Sequence, residues 1–148
     1  MIINGTALLE LAPIKNMLTE KRREHGVSHG LTEAGFDIRL KQPTWLSSAK
    51  RFTLASAIEE FDMPPNLVGV VHDKSSWARQ GLSVFNTVIE PAWRGFLTLE
   101  LAYWGEKEIY IPAGAGIAQV LFHRTLQYAA YEGKYQDQAD MPVAAKFE

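Results

Sequence analysis

Within six residues, Lys74-Ser75-Ser76-Trp77-Ala78-Arg79 gathers two cations and two hydroxyls. Phosphate oxygens are held by such donors: an ammonium, a guanidinium, hydroxyls, and the main-chain N–H groups exposed where a strand gives way to a turn. A turn leading into a short helix adds the positive end of the helix dipole. The same residues also suit a serine-capped surface helix with solvated charges. Taken alone, the cluster leaves both readings open.

A second group runs from Glu90-Pro91-Ala92-Trp93 to the strand Phe96-Leu97-Thr98-Leu99-Glu100-Leu101. Strand alternation puts Phe96, Thr98 and Glu100 on one face. If that face is inward, burial raises the Glu100 pKa and the carboxylate can pass protons near neutral pH. If it is outward, Glu100 is an ordinary solvated strand glutamate. A third group is Tyr131-Glu132-Gly133-Lys134-Tyr135-Gln136-Asp137-Gln138. Glycine brings flexibility, Lys134 charge, and Tyr131 and Gln138 hydrogen-bonding groups, so the segment could close over a phosphorylated ligand or be a plain polar tail.

Composition narrows the partners. The net charge of −2 gives no global basic field for nucleic acid or an anionic membrane, so any polyanion must be held locally. The absence of cysteine rules out disulfides and thiolate metal sites, and with them the zinc-dependent nucleobase deaminases. Of the four histidines only His25 and His29 are close, and they read as solvated loop residues rather than ligands. No apolar run reaches membrane-spanning length. The start MIINGTALLELAPIKNML lacks a basic stretch followed by an apolar core, so the reading expects no signal peptide and a cytoplasmic location.

The elements that must position these groups are mostly strands. Residues 5–24 carry a helical spacing of Ala7, Leu8, Leu11, Ile14 and Leu18, and Pro13 suits the first turn of a helix beginning there. HGVSHG reads as a loop. From GFDIRLK onward, short segments follow one another: RFTLASA, LVGVVHD, LSVFNTVI, FLTLELAYW, EIYIPAG and IAQVLFHRT, punctuated by proline and glycine. That pattern argues for a mainly β domain, a distorted β-barrel or jelly roll, over residues 1–148, with a short N-terminal helix and a mobile tail from residue 131.

Several of these segments together resemble the dCTP deaminase and dUTPase superfamily, and the deaminases more closely. GFDIRL resembles their Ser-x-Asp-x-Arg-Leu strand, and KSSWARQGL their Arg-Ser-Ser-x-Ala-Arg-x-Gly motif with Lys74 in place of an arginine. IEPAWRG resembles the Ile-Asp-Pro-Gly-Trp-x-Gly turn, AGAGIAQVLF the Pro-Gly-x-x-Ile-(Gly/Ala)-Gln strand, and GKYQDQ the Lys-Tyr-x-x-Gln tail.

The resemblance implies a zinc-independent deamination of dCTP, or of a related pyrimidine deoxynucleoside triphosphate, to dUTP and ammonia. It implies a homotrimer with sites shared between subunits, Mg²⁺ bound with the triphosphate, and no resident metal. Glu100 is then the proton shuttle, with Ser75 and Arg79 from a neighbouring subunit placing water and base. Lys74 and Ser76 hold phosphates. Asn86 and Thr87 lie in the base-reading hairpin, Glu90 and Trp93 at the sugar, and Tyr131, Lys134 and Gln138 in the closing segment. The alternative is a dUTPase, or a bifunctional deaminase-diphosphatase, in which the turn carboxylate, here Glu90, activates water at the α-phosphate. A non-catalytic nucleotide-binding regulator is a third reading, which the conjunction of Glu100, Ser75 and Arg79 disfavours.

Overall fold

A computed structural model describes residues 1–147. The chain opens with strand β1 (Ile2–Ile3) and helix α1 (Gly5–Leu11), then forms β2 (Lys21–Glu24), β3 (Val27–Leu31), β4 (Phe36–Arg39), β5 (Thr44–Leu46), β6 (Phe52–Asp62) and β7 (Leu67–Asp73). Helix α2 (Ser75–Ala78), β8 (Leu82–Val84), β9 (Val88–Ile89), β10 (Arg94–Tyr103), β11 (Ile109–Ile111) and β12 (Gly116–Arg124) complete it. One sheet runs β2-β3-β4-β12-β7-β9, with β1 beside β12; the others are β6-β10-β8 and β11-β5. The architecture is mainly β and jelly-roll-like, and its sheets stay open rather than closing into a barrel.

The core draws on these sheets and on α1. Phe36, Ile38, Phe61, Leu67, Leu99, Leu101, Val120 and Phe122 are buried together, and Leu8 is the buried residue of α1. Removing such a side chain from water contributes about 1.5–3 kcal/mol each.

The N-terminal expectations need correction. No helix starts at Pro13: α1 ends before it, where Ala12 takes a left-handed conformation (φ 45°) and its N–H caps the Leu8 carbonyl. Proline disfavours helical backbone at the residue before it, so Pro13 closes α1 instead of opening a second helix. The following apolar residues serve the sheets, with Ile14 bridged to Phe61. HGVSHG is not a loop. His25 (φ 53°) and Gly26 (φ 77°) form the tight turn of the β2–β3 hairpin, which needs positive φ at both central residues. His29 is therefore a buried strand residue and not a solvated loop histidine, and burial, with Arg39 nearby, lowers its pKa.

LSVFNTVI is also not one strand. β8 pairs with β10, whereas β9 pairs with β7 in the larger sheet. Phe85, Asn86 and Thr87 carry the chain from one sheet to the other.

Candidate active site

A cavity of about 560 Å³ opens beside that crossing. Phe52 and Leu54 of β6, Val71 of β7 and Leu97 of β10 give it an apolar wall. Asn86, Thr87, Glu90, Thr98 and Glu100 add polar groups, and Trp93, Tyr131, Tyr135, Gln138, Val143 and Ala145 close one side.

Glu100 reaches the cavity from β10, beyond an irregularity in that strand's pairing. Its pairing with β6 shifts register between Phe96 and Thr98. Thr98 and Glu100 line the large cavity, while Phe96 lines a separate one with Ile14, Phe36 and Arg39. The expectation that Phe96 joins them is thus corrected: Phe96 stands opposite Glu60 and Thr98 opposite Ser56, so β6 carries extra residues there and the regular ladder is interrupted between the two. The Glu100 carboxylate has no hydrogen-bond or ion-pair partner among the described residues, and burial raises its pKa. An unpaired carboxylate whose pKa burial has raised is suited to exchanging protons.

The chain around Glu100 is held firmly. Asn86 donates from Nδ2 to the Thr98 carbonyl (2.6 Å) and accepts the Glu100 N–H at Oδ1 (2.9 Å). The Phe85 N–H donates to the Glu100 carbonyl (2.9 Å). Glu90 begins a tight turn in which Pro91 is followed by Ala92 at φ 60°, and the Trp93 N–H returns to the Glu90 carbonyl (3.2 Å). Positive φ at that third position is what a proline-led type II turn needs, and glycine usually supplies it.

The C-terminal segment lies along the cavity. The Trp93 indole N–H donates to the Tyr135 carbonyl (2.6 Å), and the Tyr135 N–H donates to the Tyr131 hydroxyl (3.2 Å). Gln138 forms a parallel bridge with Gly95, and its Nε2 donates to the Phe96 carbonyl (2.8 Å) and to Thr98 Oγ1 (3.0 Å). The Val143 N–H donates to the same hydroxyl (3.0 Å). Gly95 has φ 131°, and a Cβ there would stand 2.4 Å from the Gln138 nitrogen, so only glycine seats this segment. Sequence reasoning missed the anchoring role of Thr98 and the contribution of Gln136. Gln136 donates to the Ala92 and Tyr131 carbonyls and accepts the Arg94 N–H. The position of Thr98, two residues before Glu100, was the available signal for the first, and no pattern flagged the second.

The remaining expected residues lie elsewhere in the chain. Helix α2 is fixed by its buried members: the Trp77 indole donates to the Gly116 carbonyl (2.7 Å), and the nearly buried Lys74 ammonium pairs with Asp37 (2.5 Å) and Ser28 (2.9 Å). Ser75, Ser76 and Arg79 point outward, exposed. None of these four lines the Glu100 cavity. Lys134 is also outside it, with its ammonium near the Lys146 carbonyl and the Tyr135 ring. Among the described residues no group of three or more His, Cys, Asp or Glu could hold a metal ion, and no helix is long and apolar enough to cross a membrane.

The chain is similar to several known proteins. Residues 36–125 match the model of a family described as dCTP deaminase-like. The chain is 32% identical to a dCTP deaminase of Chlamydia abortus, over 85% of this chain and 84% of that one. Its fold is similar to a 2'-deoxycytidine 5'-triphosphate deaminase from Agrobacterium tumefaciens (TM-score 0.64, 17% identity, covering 84% of this chain and 48% of that one). It is also similar to a mutant dUTPase from phage phi11 of S. aureus, described for its coordination of a structural Mg(II) ion (TM-score 0.58, 14% identity, 81% of this chain and 92% of that one).

Proposed function

The chain belongs to the dCTP deaminase-like family, and on that premise we propose that it is a cytoplasmic enzyme deaminating dCTP, or a closely related pyrimidine deoxynucleoside triphosphate. Water adds to C4 of the base, ammonia leaves, and the uracil nucleotide remains. The observation that carries this reading is Glu100, an unpartnered carboxylate in the cavity whose pKa burial has raised. Glu100 takes the proton of the attacking water, passes it to N3, and a second proton transfer releases the amino group as ammonia. No zinc is needed to activate that water.

Ser75 and Arg79 of an adjoining copy orient the water and steady the charge that develops on the base. Their exposure on α2, away from their own chain's cavity, supports a site completed between subunits of a homotrimer. Ser76 and Lys74 belong to the phosphate end of that shared site. The Lys74 ammonium is paired with Asp37, which fixes the start of α2. Thr87 lies at the base, Glu90 and Trp93 at the sugar side, and Tyr131, Lys134 and Gln138 in the segment that closes over the ligand. Mg²⁺ enters as the counterion of the triphosphate and is part of the substrate.

Glu90 lines the same cavity, which favours a second reading: hydrolysis of dUTP, alone or after deamination. Incubation with dCTP and with dUTP separately, scoring ammonia, pyrophosphate and the nucleotide product, distinguishes the two. Ammonia and dUTP from dCTP are expected. Pyrophosphate from dUTP with no ammonia from dCTP assigns the chemistry to Glu90.

A further inference from the structure

We propose that Asn86 is a positioning residue for Glu100 and does not read the base with its side chain. The inference rests on the reading of Glu100 as the proton shuttle. Ladder pairing between β8 and β10 stops at Val84 opposite Leu101, because the chain then leaves for the other sheet. The Phe85 N–H still reaches the Glu100 carbonyl. Beyond it no strand remains, and the Asn86 amide takes the place of one. Its Nδ2 reaches the Thr98 carbonyl at 2.6 Å and its Oδ1 the Glu100 N–H at 2.9 Å.

Only this orientation of the amide works. Rotated by half a turn, it would set oxygen against the Thr98 carbonyl and a donor against the Glu100 N–H. The edge of the Asn86 amide that carries donor and acceptor side by side is therefore committed to β10, and the remaining N–H and lone pair point apart and cannot together read a nucleobase edge.

The clamp sits where β10 is weakest. On its other edge the β6 pairing shifts register between Phe96 and Thr98. Thr98 Oγ1 is meanwhile occupied by Gln138 and the Val143 N–H. Asn86 thus ties the segment bearing Glu100 to the crossing, and Thr98 ties it to the C-terminal segment. A general base must hold its place to within about 0.5 Å, and a misplacement of about 1 Å costs on the order of 100-fold in rate.

The test compares Asn86→Ala, Glu100→Gln and the double variant on dCTP, with native-state hydrogen exchange at the Glu100 amide. For Asn86→Ala we expect kcat to fall by about 10–100-fold while KM stays within about threefold, and the Glu100 amide to exchange faster. In the Glu100→Gln background the same change should cost little more, since both act through one group. A raised KM with intact kcat overturns the proposal and returns Asn86 to the base. So does a full multiplicative loss in the double variant. If Glu100→Gln itself keeps releasing ammonia, the reading of Glu100 fails instead. Should Asn86→Ala not fold, Asn86→Asp keeps the acceptor and sets a negative charge beside Glu100, which moves the acid limb of the kcat profile to higher pH. An unmoved limb with a raised KM overturns the proposal equally.

Discussion

Helix α2 and the Glu100 cavity hold their polar side chains in opposite ways. On α2 the framework residues are satisfied inside the chain, Trp77 on Gly116 and Lys74 on Asp37, while Ser75, Ser76 and Arg79 have nothing of their own chain to act on. Around Glu100 the side chains of Asn86, Thr98 and Gln138 are engaged within the chain, while the Glu100 carboxylate is left free. One region is a rigid mount presenting donors outward, and the other a prepared receptacle that lacks them. In the proposed shared site the two regions would come from different copies of the chain.

The sharpest way to break this comparison is to mix two dead variants. Glu100→Gln should lower turnover by ~10²–10⁴-fold with dCTP binding nearly unchanged. Arg79→Ala should be similarly poor because the developing charge loses its donor. When the two are unfolded together and reassembled at equal ratio, about a quarter of the shared sites combine an intact Glu100 with an intact Arg79. Ammonia release should recover to that fraction of wild type. No recovery would place both halves in one chain, or neither in the site.

Next in size is Gly95→Ala. The added Cβ collides with the Gln138 main chain, so the C-terminal segment loses its seat while β10 keeps its pairing. KM for the triphosphate should rise by about 10-fold or more for each charge-assisted hydrogen bond lost. An unchanged KM would show that the segment plays no part in binding.

A smaller effect concerns stability and pH. The Glu100 pKa is raised above its ordinary value of 4.5. Native protein therefore favours protonated Glu100, and that stabilisation is complete below the unfolded pKa and lost as pH rises through the folded one. Glu100→Gln should consequently melt higher than wild type at pH 8, with the gap closing as the pH falls toward 4. Parallel melting curves across that range would mean that the carboxylate is fully hydrated. The smallest change expected is from Ala92→Gly. Relief of the left-handed backbone, offset by the extra chain entropy of glycine, should stabilise by about 0.5–1 kcal/mol, a rise of ~1–4 °C in Tm.

Strand segments after residue 35 are legible in the sequence because their apolar residues alternate and turn residues bound them. GFDIRL, LVGVVHD, FLTLEL and IAQVLFHR all became strands. The face of Glu100 was readable as a choice between inward and outward, but the register shift against β6 between Phe96 and Thr98 was not. A bulge depends on partner register, which one strand does not reveal. β2 was missed because its residues are all exposed, so no apolar alternation marks them. The seating of the tail was unreadable for a related reason. Its hydrogen bonds run from main chain and amides to β10, and such contacts leave no hydrophobic period. The Lys74–Asp37 pair joins residues far apart in sequence, and nothing in either motif announces the other.

The crossing at Phe85–Thr87 bears on how this family can diversify. In an ordinary hairpin, adding or deleting a residue shifts one strand against its own partner and turns side chains inside out. Here β8 and β9 answer to different partners, β10 and β7, so the link between them can lengthen or shorten while both ladders keep their register. Insertions and deletions, normally among the harshest mutations for a β protein, become tolerable in a link whose Asn86 and Thr87 line the Glu100 cavity. The length of the link can thus reshape that cavity without first rebuilding the scaffold.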